Sequence, residues 1–461
     1  MKSIKSHFLT SVAVFMIILS SIGILLIVGC GTDGETSGNT QTNRIPDIND
    51  NSDKSTGDTQ IQDKPDQSHS SLEITVIEIV KPAYDEILDF SEGLAAVRSD
   101  GKWGFIDTTG KVVVEPFYDW VYSFSENLAA VMVGASWGFI DTTGNIVIEP
   151  VYFRVKSFSE GLAAVNIADR WGIIDTTGKV IVELMYADIY CFNEGLARVQ
   201  FFSGEVKEWG IIDTTGRVVV KLIYDRVYID SFSDGLIAVR AGSKWGIVDI
   251  TGSFAIEPMY DDTFIYGFRE GLIAVLIDDK WGVIDTTGMV VVEPMYDTVF
   301  SFYEGFAFVQ LDDKWGFIDV TGKAIVEPMY DHISAFSAGL AAVRINDNDT
   351  SKWGFIDTKG NVVVKFTYDL VVSFKEDLAG VMVDGKWGFI DTTGRVVVEP
   401  IYDEIQSFSE GLASVQIGDK WGVIDTSGNV VIGPMFDWVS NFNNGLSAIC
   451  NDEKWGVLAI T

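Results

Sequence analysis

The sequence predicts an all-β tandem-repeat array of about eleven three-stranded meander units, and three observations predict it. The dipeptide Trp-Gly recurs at Trp103, Trp137, Trp171, Trp209, Trp245, Trp281, Trp315, Trp353, Trp387, Trp421 and Trp455, at spacings of 34 to 38 residues. A fixed period of that length marks stacked units that bury apolar surface against their neighbours. Within each period, short β-branched runs alternate with turns rich in Gly and Asp. The repeats cover nearly everything after residue 71 of the 461, which leaves no room for a separate enzyme domain.

The chain opens with a different kind of segment. Lys2 and Lys5 precede an uncharged apolar run from Phe8 to Val28, the pattern of an export signal. The run ends at Ile27-Val28-Gly29-Cys30, which resembles the lipobox of bacterial lipoproteins, with Ile27 where Leu is usual. The resemblance implies cleavage after residue 29 and lipidation of Cys30. A bare membrane anchor is the competing reading, since about 20 apolar residues span a bilayer; either way the repeats face outward. Gly31 stands where an Asp would imply retention in an inner membrane. The resemblance therefore implies the outer membrane of a two-membrane cell or the outer leaflet of a one-membrane cell.

Residues 30–71 carry the lipidated Cys and then a polar stretch with almost no large apolar side chain, read as a disordered tether. As a flexible coil it spans roughly 35 to 40 Å. Asp47, Asn49, Asn51, Asp53 and Asp58 imitate the alternating ligands of a calcium loop. Ser52 replaces the required Gly and Asp58 the bidentate Glu, so a polar linker is the first reading and calcium the second.

The repeat domain is placed at 72–461. In its first full unit, Leu94-Ala95-Ala96-Val97-Arg98 reads as a strand and Ser99-Asp100-Gly101 as a turn. Lys102-Trp103-Gly104-Phe105-Ile106-Asp107 reads as the second strand. Thr108-Thr109-Gly110 reverses the chain into a third strand from Lys111 to Pro116. The Asp opening that turn recurs as Asp107, Asp141, Asp175, Asp213, Asp249, Asp285, Asp319, Asp357, Asp391 and Asp425. A side chain there can bond the backbone ahead of it, which makes the ten copies turn braces and not catalysts. The Gly after each Trp removes a side chain so that a neighbouring backbone can approach. Tyr118 and Phe124, with Tyr152 and Phe158, Tyr296 and Phe302, and Tyr402 and Phe408, are expected to stack between units. Consecutive apolar residues such as Phe105 and Ile106 bury both faces of each sheet.

A strand from Ile74 to Lys81 followed by Pro82-Ala83-Tyr84-Asp85 copies the third strand, whereas the chain stops at Trp455-Gly456-Val457-Leu458, the second. That phase suits an open array or a ring whose last sheet is completed by its first strand. Eleven units exceed the usual four to eight propeller blades, so an open, curved β-solenoid is the expectation, with a closed or superhelical propeller-like ring as the alternative. Longer hairpins add Phe202-Ser203-Gly204-Glu205 and Asp347-Asn348-Asp349-Thr350 at one edge, where specific contacts are expected.

Lys102-Trp103-Gly104-Phe105-Ile106-Asp107-Thr108-Thr109-Gly110 and its copies resemble the WG-repeat family, also called KWG repeats. The resemblance implies a β repeat domain common in exported bacterial proteins and carries over no catalytic residue. No catalytic, cofactor or metal site is assigned. The histidines are His7, His69 and His332, the last read as a surface substitution in a loop. Cys191 and Cys450 fall at different points of the repeat and are expected as isolated buried thiols. The pairs Asp278-Asp279 and Asp312-Asp313 read as solvated hairpin tips. A net charge of -33 excludes nucleic acid as a partner; an acidic, solvated surface that keeps an exported protein soluble is the first reading and attraction of basic proteins and cations the second. The expected function is a surface-tethered scaffold that binds a protein or peptide. The alternative is a cell-wall or polysaccharide-binding module, for which Trp120 and Trp438, outside the repeat register, are the candidate stacking residues.

Overall fold

The computed structural model describes residues 75–460, apart from 204–205, 234, 264–266 and 348–349. The expected leader, Cys30, the tether and its calcium-like stretch lie outside the described residues, as do the centres of the two long hairpin tips. What is described is a ring of eleven four-stranded antiparallel sheets, an eleven-bladed β-propeller. The chain enters as β1 (Val76–Tyr84). The first blade then follows as β2 (Glu86–Ile87), β3 (Leu94–Ser99), β4 (Lys102–Asp107) and β5 (Val112–Tyr118), paired in that order. Every later blade repeats this pattern, so its strands are called A, B, C and D, from the two-residue A to the seven-residue D.

The expected three-stranded unit therefore gains a fourth strand. Strand A lies in the segment read as an aromatic connection, and in most blades it is only two residues long, as at Trp120–Val121 and Arg154–Val155. It folds onto B through a two-residue hairpin. In the first blade Ser91 and Leu94 exchange backbone hydrogen bonds across Glu92 and Gly93, both at positive φ, the geometry of a type I′ turn. The B to C connection repeats the device with Asp100 and Gly101.

The array is closed, and the open solenoid is displaced by its alternative. β1 pairs with the C-terminal strand Lys454–Ile460, from Val76 opposite Ile460 to Tyr84 opposite Trp455, and supplies strand D of the eleventh blade. Its sheet packs on the first blade, where Ala95, Val97 and Ile106 meet Leu446 and Val457. Eleven similar clusters line the ring. The first joins Trp103, Phe105 and Tyr118 of one blade to Val131 and Ile140 of the next, with Phe124 between them. Phe105 and Phe124 meet edge to face at 4.8 Å, as do Phe139 and Phe158. The aromatics thus stack between units as expected. Both Phe105 and Ile106 are fully buried, so each sheet is sandwiched on two sides.

The Trp-Gly step has a local cause. Strand D does not follow strand C evenly: Trp103 pairs with Tyr118 but Phe105 pairs with Val114, so D carries a bulge of Glu115 and Pro116 over Gly104. A Cβ on Gly104 would lie 2.7 Å from the Pro116 nitrogen and closer still to the Val114 carbonyl oxygen. Gly246 and Gly282 sit under the same crossing, and Gly456 sits under β1. The ring closure therefore reproduces the internal geometry of a blade.

The two cysteines do not pair with each other, because Cys450 is a free thiol. Both are half-buried and not in the core.

Gly104→Ala is expected to cost about 3 kcal/mol, because backbone on the facing strand cannot yield as a side chain can. Gly433→Ala, where nothing lies within 4 Å, should shift stability by no more than about 0.5 kcal/mol. Urea unfolding midpoints of the two variants check this pair of outcomes.

Candidate interaction surface

Antiparallel pairing sorts the connections between two rims. Arg98, beside the B to C turn, pairs with Glu86 at the start of A and with Trp103, which pairs with Tyr118 at the end of D. One rim thus carries the B to C turns and the junctions where D runs into the next A. The other carries the A to B hairpins and the Asp-Thr-Thr-Gly turns.

On the second rim the repeated acids are used by the fold. The Asp107 carboxylate accepts the backbone N–H of Thr109 and Lys111 and the Thr109 hydroxyl, at 2.9, 3.0 and 2.6 Å. Nine later turns repeat the opening Asp, and where these bonds are described they confirm the turn-brace reading. Among the described residues, in six blades the Glu of the A to B hairpin reaches forward to the next blade, as where Glu92 accepts the backbone N–H of Glu126 and Asn127, and Glu376 that of Gly411. Ser91 and Ser125 donate to the carbonyls of Phe124 and Phe158 one blade on. A Glu at positive φ costs about 1 to 2 kcal/mol, and these bonds between blades offset it.

On the first rim a second set of rungs runs around the ring. Lys102 donates to Asp119 at 2.5 Å, and the other Asp119 oxygen accepts the Gly134 N–H in the next blade's B to C turn at 2.7 Å. Lys280 with Asp297 and Lys420 with Asp437 repeat the rung, and Lys454 with Asp85 closes it across the seam at 2.6 Å. Sequence reasoning missed this pair, although a signal was present. The Lys before Trp-Gly and the Asp 17 residues on are both absent from the second blade, Ser136 and Phe153, and from the third, Arg170 and Ala187, whereas the fourth keeps Asp225 but has Glu208 for the Lys. Exposed ion pairs add little stability, so the rungs fix register while the aromatic clusters supply most of the stability.

These bonds shift titration in one direction. The Thr143 hydroxyl and the Asn145 backbone hold Asp141 down at about 2, and Asp213 and Asp391 lie at about 2 for the same kind of reason. Lys102 lowers Asp119. Burial raises the Tyr118, Tyr186 and Tyr330 phenols, at the C-terminal end of strand D, above their usual range.

Exposed apolar residues lie on both rims: on the second, the first residue of strand D is exposed, as at Ile146, Val218, Val290, Val362 and Val430, and Met289 beside it is 67% exposed. On the first rim, the D-strand residue just before the closing Tyr or Phe is large, apolar and outward-facing in nine blades: Phe117, Val151, Met185, Ile223, Met259, Met295, Met329, Ile401 and Met435, with exposures from 45% for Met185 to 62% for Phe117. Thr367 and Ala83 fill the same position in the other two blades, so the fold does not need a large apolar group there. Trp120 and Trp438, 46% and 40% exposed, stand at the starts of two A strands. The eleven Trp of Trp-Gly are buried or half-buried. Carboxylates tip the same rim: Asp278 and Asp279, Asp312 and Asp313, and Asp452 and Glu453 are exposed in left-handed turns.

Other expected site residues are placed as follows. The two long tips extend strands B and C, which run to Ser203 and from Val206 in one case and to Asp347 and from Thr350 in the other. His332 is not in a loop: it opens strand A of its blade, half-buried, with its ring 6.1 Å from Trp353. Burial lowers its pKa. Among the described residues no group of three or more His, Cys, Asp or Glu is placed to hold a metal ion, and no helix is long and apolar enough to cross a membrane.

The sheet order and the rungs define a closed eleven-bladed β-propeller built from one repeated unit. The chain belongs to the WG-repeat family: the WG containing repeat matches eleven successive segments, 78–103, 103–135, 137–171, 171–201, 209–245, 245–281, 281–315, 315–348, 353–387, 387–421 and 421–455. No curated protein matches the chain in sequence. Among solved structures it is similar to the extracellular domain of a putative hybrid two component system from B. thetaiotaomicron, at 10% identity and TM-score 0.24. That likeness covers 83% of this chain, which spans 63% of the length of the other. Hsv2 of Kluyveromyces lactis is similar at 11% identity and TM-score 0.27, over 59% of this chain and 97% of that one. At such scores neither likeness bears on function.

The titration shifts set a pH window. Carboxylates lowered in the folded state contribute stability above about pH 4, the unfolded value, and lose it as pH falls towards about 2. Tyrosines raised by burial contribute stability below about pH 10 and lose it as pH rises further. Thermal midpoints should be flat between these limits and fall outside both. A midpoint that rises from pH 4 to pH 2 would contradict the carboxylate bonds.

Proposed function

We propose that this protein is a non-catalytic scaffold, exported and held at the outer face of a membrane by lipid on Cys30, that binds a protein or peptide partner on the rim carrying the D-strand ends. One observation carries the reading. Nine blades present a large apolar side chain at a position where Thr367 and Ala83 show that the fold accepts small or polar groups. The recurring turn Asp, hairpin Glu and Lys and Asp pair are, by contrast, spent on turns and on bonds between blades. Isolated exposed apolar residues are ordinary, but a recurring set that is Met in five blades and lies on the rim of the exposed tip carboxylates supports a contact surface there. Repeat arrays offer large surfaces of this kind.

The second reading, polysaccharide binding, is supported by the exposure of Trp120 and Trp438, which stand in the blades on either side of the first. Indole faces stack on sugar rings as on other flat apolar faces. Wall binding that disappears in a Trp120→Ala and Trp438→Ala double variant would put this reading first.

A photo-crosslinking residue placed at Met185 on one rim and, separately, at Thr176 on the other tests the scaffold on intact cells. Crosslinked partners are expected from position 185 and not from 176. Equal labelling from both, or none from either, would remove the assignment to that rim. In the same cells Cys30→Ala should abolish incorporation of a labelled fatty acid and release the protein from the membrane fraction.

A further inference from the structure

The D-strand rim combines three properties that together define the chemistry of a partner. It is apolar at intervals, with Met259, Met295 and Met329 on blades that lie close in sequence, and five of the chain's ten methionines occupy this one register. Met is unbranched and polarizable, and suits surfaces that adapt to a partner's side chains. The rim is also acidic. The lysines before Trp-Gly are engaged by the junction aspartates, as Lys280 is by Asp297 and Lys314 by Asp331. The hairpin-tip carboxylates Asp278, Asp279, Asp312 and Asp313 stand exposed beside them. Third, the chain uses cations to cover its own indoles: the Arg98 guanidinium lies 5.6 Å from the Trp103 ring and that of Arg198 4.8 Å from Trp209. Trp120 and Trp438 keep exposed faces of the same kind.

We infer that this rim binds a basic amphipathic segment of a protein, whose apolar stripe lies on the methionines and whose Lys and Arg side chains meet the tip carboxylates. A second copy of this chain is a poor occupant. Its charge of -33 repels itself. Strand D is also interrupted by Pro294 or Pro328 and by the bulge, which blocks pairing of sheet edges. An acidic partner meets the same repulsion. A basic helix with one apolar face satisfies both requirements, in the manner of helix-in-groove recognition.

This inference rests on the scaffold reading and names the partner that the reading leaves open. The test uses the purified protein and three synthetic 18-residue peptides: one of Leu and Lys with its Leu on a single helical face, the same peptide with Glu for Lys, and one of Lys and Gly with no apolar face. Fluorescence anisotropy should show binding of the Leu/Lys peptide alone, weakening several-fold between low and physiological salt. Met259→Ser, Met295→Ser and Met329→Ser together should weaken it about tenfold. Asp278→Asn, Asp279→Asn, Asp312→Asn and Asp313→Asn together should do the same, and Asn tolerates the left-handed turns, so the fold is kept. Equal binding of the Lys and Glu peptides, equal binding of the Lys/Gly peptide, no binding of any peptide, or no loss in either variant would each overturn the inference. Crosslinking from position 185 on cells, combined with failure of the Leu/Lys peptide, would leave the scaffold standing and remove only the basic partner.

Discussion

The structure depends on one close approach, the passage of strand D over the glycine that follows each tryptophan. With a bulge of two residues, strand D crosses Gly104 and returns to pair Tyr118 with Trp103. That return places the tyrosine ring in the core, directs the next residue, Asp119, to the lysine of the same blade, and leaves the Pro-flanked residue Phe117 in solvent. A side chain on the glycine would hold the strand away and undo all three. The indole and its glycine are thus parts of a single device: one fills the space between blades while the other admits the backbone.

From this device the ring follows. Each blade meets the next through an apolar cluster, and two kinds of hydrogen-bonded rung keep the blades in register. One is the hairpin Glu on one rim and the other the Lys and Asp pair on the opposite rim. At the seam the first device is missing, since Asn444 stands where most hairpins have Glu. There the bond from Lys454 to Asp85 and the pairing of β1 with the last strand hold the ring shut. Separation of roles between the rims has a functional consequence. On the rim where D ends, the exposed surplus is both apolar and acidic.

Much of this was legible in the sequence. The Trp-Gly period, the Asp107 turn, the hairpin at Asp100 and Gly101 and the stacking of Phe124 all follow from local chemistry, and the structure places them as expected. Strand A was not legible, because two residues such as Trp120–Val121 are too short to show alternation. Closure was half legible. The phase of the termini permitted it, but whether an array closes depends on the small rotation between blades, which arises from packing and not from any local run of residues. The Lys and Asp rung was readable only by comparing the copies, since both positions change in the second and third blades, although the fourth combines Glu208 with Asp225. Cys30 and the tether lie outside the described residues, so their reading still rests on the sequence.

Hydrogen exchange along β1 tests the closed ring most directly. If β1 is the outer strand of the eleventh blade, those of its amides that are bonded to Lys454–Ile460 should exchange as slowly as the matching amides of an internal D strand such as Val396–Tyr402. Exchange of the β1 amides at the rate of an unstructured peptide, with Val396–Tyr402 still protected, would mean an open array and would contradict the account.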